Sequence, residues 1–210
     1  MRLVKYTHAC VRIETGDAVL VIDPGVFSEA AALDGADAVL ITHEHFDHLD
    51  VDKLADALDK RPDAKVYTHA EVAAKLGALN GVVHTVTAGE TFTAAGMEVR
   101  AHGGWHAVIH PDIAVVPNLG YVVEGRVYHP GDSFDVPVDA DIETLFVPVT
   151  APWLKVSEAI DFVRQVAPRR AYALHDSLAN DNGLGLLDRL LGQYSGAEYS
   201  RLVPGETVDA

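Results

Sequence analysis

Residues 40–50 read LITHEHFDHLD. Three imidazoles and three acidic side chains follow directly on an apolar run, and few folded surfaces tolerate that crowding. Protonating neighbouring histidines is costly unless a cation takes the place of the protons. His43 and His45 are two residues apart, so at the end of an extended strand they project to the same side. Asp47 and His48 come next, in the turn that leads toward a helix. The spacing therefore supplies two pairs of donors rather than one cage of four. Neutral imidazole and carboxylate suit zinc, and also iron or manganese.

Three more segments put a donor where a strand meets a loop. GGWHAVIHPD carries His106, HPGDS carries Asp132 in a glycine turn, and YALHD carries His175. His102, His106 and His110 recur at four-residue spacing and compete for one role, and the two not used as ligands become candidates for touching substrate. His8, His69 and His84 read as ordinary hydrogen-bonded histidines. Ser133 lacks the strand–elbow–helix context of a hydrolase nucleophile and reads as a turn hydroxyl. PWLKVS sets Trp153 and Lys155 behind an apolar strand, an aromatic wall and a cation available to line a pocket.

The rest of the 210-residue chain alternates short β-rich runs with amphipathic helices. RLVKY, CVRIE, AVLVI and AVLI read as strands, the last buried on both faces. DVDKLADALDK reads as a helix with Leu54 and Leu58 on one side. KVYTH is a strand, and AEVAAKLGAL a helix ending near Gly81. VVHTV, TFTAAG and MEVRAH are strands, and LGYVVEGRVYH is a hairpin closed by Glu124-Gly125. TLFVPV is a buried strand. SEAIDFVRQVAP is a helix N-capped by Ser157 and stopped by Pro168. RAYALHD and GLGLLDRLLGQY supply a strand and a late helix. Two packed sheets with helices outside would bury all these apolar faces, and one domain over 1–210 is the simplest organisation.

The charge balance, 16 basic against 31 acidic residues for a net −15, disfavours nucleic acid as a partner. A single cysteine, Cys10, allows no internal disulfide and suits a reducing compartment. No stretch has the length of a membrane-spanning helix or the pattern of a secretory signal, so the expectation is a cytoplasmic protein with a small-molecule substrate and no membrane partner.

The His-x-His-x-Asp-His pattern behind an apolar strand resembles the signature of the metallo-β-lactamase superfamily. VLVIDPG resembles its early Asp turn, and GGWH, HPGDS and LHD follow in that family's order. The resemblance implies an α/β fold: a four-layer αββα sandwich of two mixed sheets flanked by helices, with the site at one edge. It implies His43, His45 and His106 around a first metal and Asp47, His48 and His175 around a second. Asp132 would bridge them, and Asp23 would orient a ligand imidazole. His106 is preferred over His102 and His110 because it keeps the family's strand–loop–His interval.

Two divalent ions, zinc first and manganese or iron as alternatives, would then generate hydroxide near neutral pH to cleave a small ester, lactone or phosphodiester. Asp47 and Asp132 are the carboxylates this catalysis would use. The compact acidic chain is similar to the family's small cytoplasmic bacterial hydrolases. Two alternatives stay open: an iron-dependent oxidoreductase of the persulfide-dioxygenase kind, and a metal-binding protein without turnover.

Overall fold

Period-two alternation separates the apolar residues of each strand into two layers, and that separation determines the architecture. A computed structural model describes residues 1–79 and 82–210. The chain runs β1 (Arg2–Lys5), β2 (Val11–Thr15), β3 (Ala18–Ile22), β4 (Ala38–Leu40), α1 (Val51–Lys60), β5 (Lys65–Thr68), α2 (Ala70–Lys75), β6 (Val83–Thr85), β7 (Thr91–Ala94), β8 (Met97–Trp105) and β9 (Pro117–Val123). It continues through β10 (Val127–His129), β11 (Thr144–Pro148), α3 (Val156–Val166), β12 (Arg170–Leu174), α4 (Asp181–Tyr194), β13 (Glu198–Ser200) and β14 (Thr207–Asp209).

Two seven-stranded sheets form, ordered β14-β1-β2-β3-β4-β5-β6 and β13-β12-β11-β10-β9-β8-β7. Each is mixed. In the first, β14, β1, β2 and β3 pair antiparallel and β3 to β6 pair parallel. In the second, β7 to β10 pair antiparallel and β10 to β13 parallel.

Leu20 and Ile22 of β3 enter the core between the sheets, with Val99, Tyr121, Phe146, Tyr172 and Leu174 from the other side. Val21 of the same strand faces outward, under Leu54 and Leu58 of α1 and Val72 of α2. On the second sheet, Leu145, Val147, Ala171 and Ala173 face outward, under Phe162 and Val163 of α3 and Leu191 of α4. Apolar strand faces on both sides of each sheet need four layers to cover them, so the chain is the αββα sandwich. Cys10 is buried in the outer layer of the first sheet, and burial pushes its thiol up to about 12, which leaves no thiolate nucleophile there. Among the described residues, no helix is long and apolar enough to cross a membrane.

Several local expectations are corrected. Ser157 is not the N-cap of α3: Lys155 holds that place, its carbonyl already accepting from Glu158 and Ala159, so the ladder starts before Ser157. The α2 segment closes early, at Lys75, into a 3₁₀ turn over Gly77–Leu79; its expected end near Gly81 lies outside the described residues. α4 starts earlier than its apolar run because the Asn180 side chain caps it by accepting from the Gly183 N–H at 3.0 Å. The edge strands β13 and β14 carry too little apolar content to be read from sequence. The Glu124-Gly125 hairpin forms as expected, with both residues at positive φ (51° and 67°).

Gly185 and Gly192 sit exposed within α4, and a methyl group there meets nothing within 4 Å. Gly185→Ala and Gly192→Ala should each raise stability by about 0.5–1 kcal/mol by restricting the unfolded chain. Thermal unfolding checks this, and a lowered midpoint for both would contradict the helix assignment.

Candidate metal centre

The parallel strands of both sheets end on one edge of the sandwich, where loops from distant parts of the chain meet. Asp23 follows β3, the 42–48 loop follows β4, Asp132 follows β10, and His175 follows β12. The antiparallel β8 delivers His106 to the same edge. Three of the polar residues there adopt left-handed backbone: His8 (φ 69°), Asp23 (φ 50°) and His175 (φ 58°). Strain of that kind persists only where the surroundings over-determine it, and it concentrates at functional sites. The metal loop is also wedged against the DPG turn. A methyl on Gly25 would overlap the Asp47 carbonyl and come within 2.6 Å of the His48 nitrogen.

Among the described residues, three donor groups have ligand atoms within 4.8 Å of one another: His8, Asp47, His48 and His175; His43, His45 and His106; and His43, His48 and Asp132. Asp132 joins the first two groups. Its Oδ1 lies 2.7 Å from His175 Nε2 and 3.1 Å from His48 Nε2, and its Oδ2 lies 3.2 Å from His106 Nε2. His43 Nε2 is 3.1 Å from His45 Nδ1, and the Nε2 atoms of His48 and His175 are 2.7 Å apart.

The far side of each ring explains this convergence. His48 Nδ1 donates to Asp23 Oδ2 at 2.6 Å, His175 Nδ1 to the Thr150 carbonyl at 2.9 Å, and His106 Nδ1 to the Ala107 carbonyl at 2.5 Å. Thr42 gives both its N–H and its hydroxyl to Asp23, at 2.8 and 2.7 Å, so its oxygen accepts from His43 Nδ1 at 2.9 Å. With Nδ1 donating on all four rings, four Nε2 atoms point inward as the coordinating atoms, that of His48 once its proton is displaced. His106 Nε2 and Asp132 Oδ1 are buried with no hydrogen-bond partner. Lone pairs facing lone pairs in a buried pocket call for cations between them, and the imidazole–carboxylate set fits divalent zinc, manganese or iron.

Charge in the metal-free protein follows the same geometry. Burial opposes a proton on His48, but the Asp132 and Asp23 carboxylates outweigh it and raise its pKa well above the ordinary histidine value. Burial and then the neighbouring His48 hold His43 well below that value. Asp132 stays ionised despite burial, because His175 and His48 pull its pKa well down. Asp47, also opposed by burial, is held at about 2 by the His8 hydrogen bond and the nearby imidazoles, while burial drops His8 to about 4.

The raised group is His48, so its stabilising contribution is full below its unfolded value of about 6.5 and is lost as pH rises through its higher folded value. A cation at His48 must displace that proton. Metal affinity should therefore climb with pH, and loading at pH 7 should release about one proton or more per chain. Calorimetry in buffers of different ionisation enthalpy reads this directly, and a buffer-independent heat would contradict it.

His43, His45, Asp47, His48, His106, Asp132 and His175 thus converge, with Asp23 directly behind His48 and Thr42. Two of the proposed substrate contacts do not reach the cluster. His102 sits on β8 with its ring against Tyr128 and its Nε2 3.8 Å from Asp139; its neighbour Ala101 faces the inter-sheet core, so His102 faces outward. His110 is exposed and pairs with Asp112 at 3.6 Å. Trp153 does reach the site, donating from Nε1 to Asp132 Oδ2 at 3.1 Å with its ring 6.0 Å from that of His106. Lys155 is exposed beside it, near Glu158. Ser133 accepts from the Asp135 N–H, a turn hydroxyl as expected.

Sequence reasoning missed two histidines here. His8, read as ordinary, is fully buried with its Nε2 3.1 Å from Asp47 Oδ2. His129 is buried beneath the Asp132 turn, accepting from the Gly131 N–H at 3.2 Å and contacting the Ala9 carbonyl at 2.8 Å. A lone histidine in a short loop or a strand carries no spacing pattern that would reveal either. His69 is buried at the start of α2 and His84 stacks on Tyr67, both away from the donor groups.

A family model described as the beta-lactamase superfamily domain matches residues 2–175. Protein Rv0786c of Mycobacterium tuberculosis is 38% identical over 214 residues, which cover 99% of each chain. The UPF0173 metal-dependent hydrolase MK1542 of Methanopyrus kandleri is 30% identical over 199 residues, covering 83% of this chain and 84% of that one. Among solved structures, Igni18, a metallo hydrolase from the archaeon Ignicoccus hospitalis, superposes with a TM-score of 0.76 at 19% identity over 99% of this chain and 97% of its own, and so shares the fold. With a matching family model over most of its length and these donors at one sandwich edge, the chain belongs to the metallo-β-lactamase superfamily.

Proposed function

We propose that residues 1–210 act as one metal-dependent hydrolase domain that holds two divalent ions, zinc first, and cleaves a small ester, lactone or phosphodiester. The observation that carries this reading is Asp132, one carboxylate whose two oxygens face two separate imidazole groups. His43, His45 and His106 would hold one ion, Asp47, His48 and His175 the other, and Asp132 both. When bound there, such ions supply Lewis acidity and a water that loses a proton near neutral pH.

The chain's own residues do the rest. Asp23 and the Thr150 carbonyl keep His48 and His175 in one tautomer, and Trp153 holds one oxygen of Asp132 by a neutral N–H. Asp47 is ionised throughout the neutral range, the state in which its carboxylate can hold a cation.

A cavity of about 490 Å³ opens beside Trp153, lined by Val108, Ile109, Phe134, Leu154 and Lys155 among others. Apolar walls suit an acyl or aryl group, and Lys155, paired at the rim with Glu158 at 3.4 Å, is a cation within reach of a negative charge on it. Lys155→Ala should therefore raise KM for anionic substrates by about two- to fivefold and leave kcat nearly unchanged, the loss of one solvent-exposed charge contact of about 0.5–1 kcal/mol. An unchanged KM would remove Lys155 from the pocket.

The function is tested by assaying lactones, thioesters and phosphodiesters with zinc, manganese and iron. The expected result is metal-dependent turnover of one class, abolished in His45→Ala together with lowered bound metal. His45→Ala with unchanged turnover would refute the site. One bound iron per chain, with oxidation instead of hydrolysis, would replace this function with an oxidoreductase.

A further inference from the structure

We propose that His8 is a positioning residue for the second group of donors: it grips the Asp47 carboxylate, and Ser177 sets which ring nitrogen does the gripping. The inference rests on the two-ion reading above and concerns a residue outside the superfamily-type pattern.

His8 lies in the short turn between β1 and β2, in left-handed backbone, with its side chain fully buried. One face packs against His175, with ring centroids 4.0 Å apart, and Phe27 meets it edge-on at 5.2 Å. Its Nδ1 is 2.7 Å from Ser177 Oγ and its Nε2 is 3.1 Å from Asp47 Oδ2. Its carbonyl accepts from the His175 N–H at 3.2 Å.

These contacts allow one proton arrangement. An ionised carboxylate only accepts, so the ring proton sits on Nε2 and is donated to Asp47. Nδ1 is then the acceptor, and the Ser177 hydroxyl must donate to it. The oxygen that His8 holds, Oδ2, is also the one that lies 3.9 Å from His175 Nε2, so His8 fixes the carboxylate oxygen that faces the second donor group. Because the same residue is bonded to the His175 backbone and packed on the His175 ring, it ties together the segments around residues 47 and 175, which also meet where the His48 and His175 rings face each other. Carboxylate ligands held this way by a second partner bind metal roughly 10–100-fold better than free ones.

The test compares metal-free wild type, His8→Ala, His8→Gln and Ser177→Ala. Zinc is titrated against a competing chelator, cobalt(II) is followed by its visible spectrum, and thermal unfolding is measured without metal. Wild type should take up two ions. His8→Ala should keep the first binding event and weaken the second by roughly 10–100-fold. His8→Gln should recover much of that loss, because its amide N–H can still donate to Asp47. Its fully loaded cobalt spectrum should match wild type, since His8 is not a ligand. Ser177→Ala should weaken the second event less than His8→Ala does, because water can supply the lost donor.

A second ion bound as tightly by His8→Ala as by wild type overturns the inference alone. So does a His8→Gln no better than His8→Ala, or a loaded His8→Gln spectrum altered in a way that shows a lost nitrogen ligand. Uptake of only one ion by wild type overturns the two-ion reading and this inference with it. If His8→Ala does not fold, the Gln and Ser177→Ala titrations decide the matter.

Discussion

Asp132→Ala is expected to leave about one divalent ion per chain after gel filtration and to lower turnover by about 10²-fold or more. Among the described residues, Asp132 is the one carboxylate within reach of His48, His106 and His175 together, so its removal takes a shared ligand from both positions. It also removes the stronger of the two carboxylate charges that keep a proton on His48 in the metal-free protein. The proton released on loading should therefore diminish in the variant. Asp132→Asn separates charge from packing. It preserves the shape of the side chain and an acceptor for Trp153, so it should fold like wild type and still lose one ion. Both ions retained by both variants would contradict the bridging role.

Gly25→Ala should be nearly as damaging, although Gly25 carries no donor side chain. The added methyl would occupy the space of the Asp47 carbonyl, and backbone on both sides leaves no flexible side chain to move aside. Overpacking of this kind costs about 1–3 kcal/mol, and relief would push the 45–48 loop away from the β3 turn. A displacement of about 1 Å at a reacting group costs about 10²-fold in rate, so activity and second-ion affinity should fall together. The Val26 N–H donates to the Phe46 carbonyl at 2.9 Å, and Lys53 donates to the Gly25 carbonyl at 2.7 Å, so the turn is held on both sides and cannot retreat. Gly192→Ala, in open space on α4, is the control for the chemistry of the substitution. Equal activity in the two variants would show that the turn does not fix the loop.

How much of this was legible in advance depended on whether a residue belonged to a pattern. The donors in 43–48 declare themselves because their spacing has no other economical use, and Asp132 and His175 because each ends an apolar strand. The choice among His102, His106 and His110 followed from a resemblance, and its physical reason emerges only from the pleat. Ala101 faces the core, so His102 must face away, and Gly103 and Gly104 at φ 83° and 157° turn the strand before His106.

His8 stayed hidden because its partners, Asp47 and Ser177, are 39 and 169 residues away. Helix ends were read less well than helix interiors: Ser157 looks like a cap, but the Lys155 carbonyl starts the ladder first. The edge strands β13 and β14 depend on neighbours that offer unpaired backbone rather than on apolar content of their own.

The central claim is that two cations share this edge of the sandwich, and anomalous diffraction from crystals grown with zinc tests it most directly. The expected map has two peaks, one among His43, His45 and His106 and one among Asp47, His48 and His175, each in contact with Asp132. A single peak, or zinc bound elsewhere while these imidazoles pair only with one another, would contradict it.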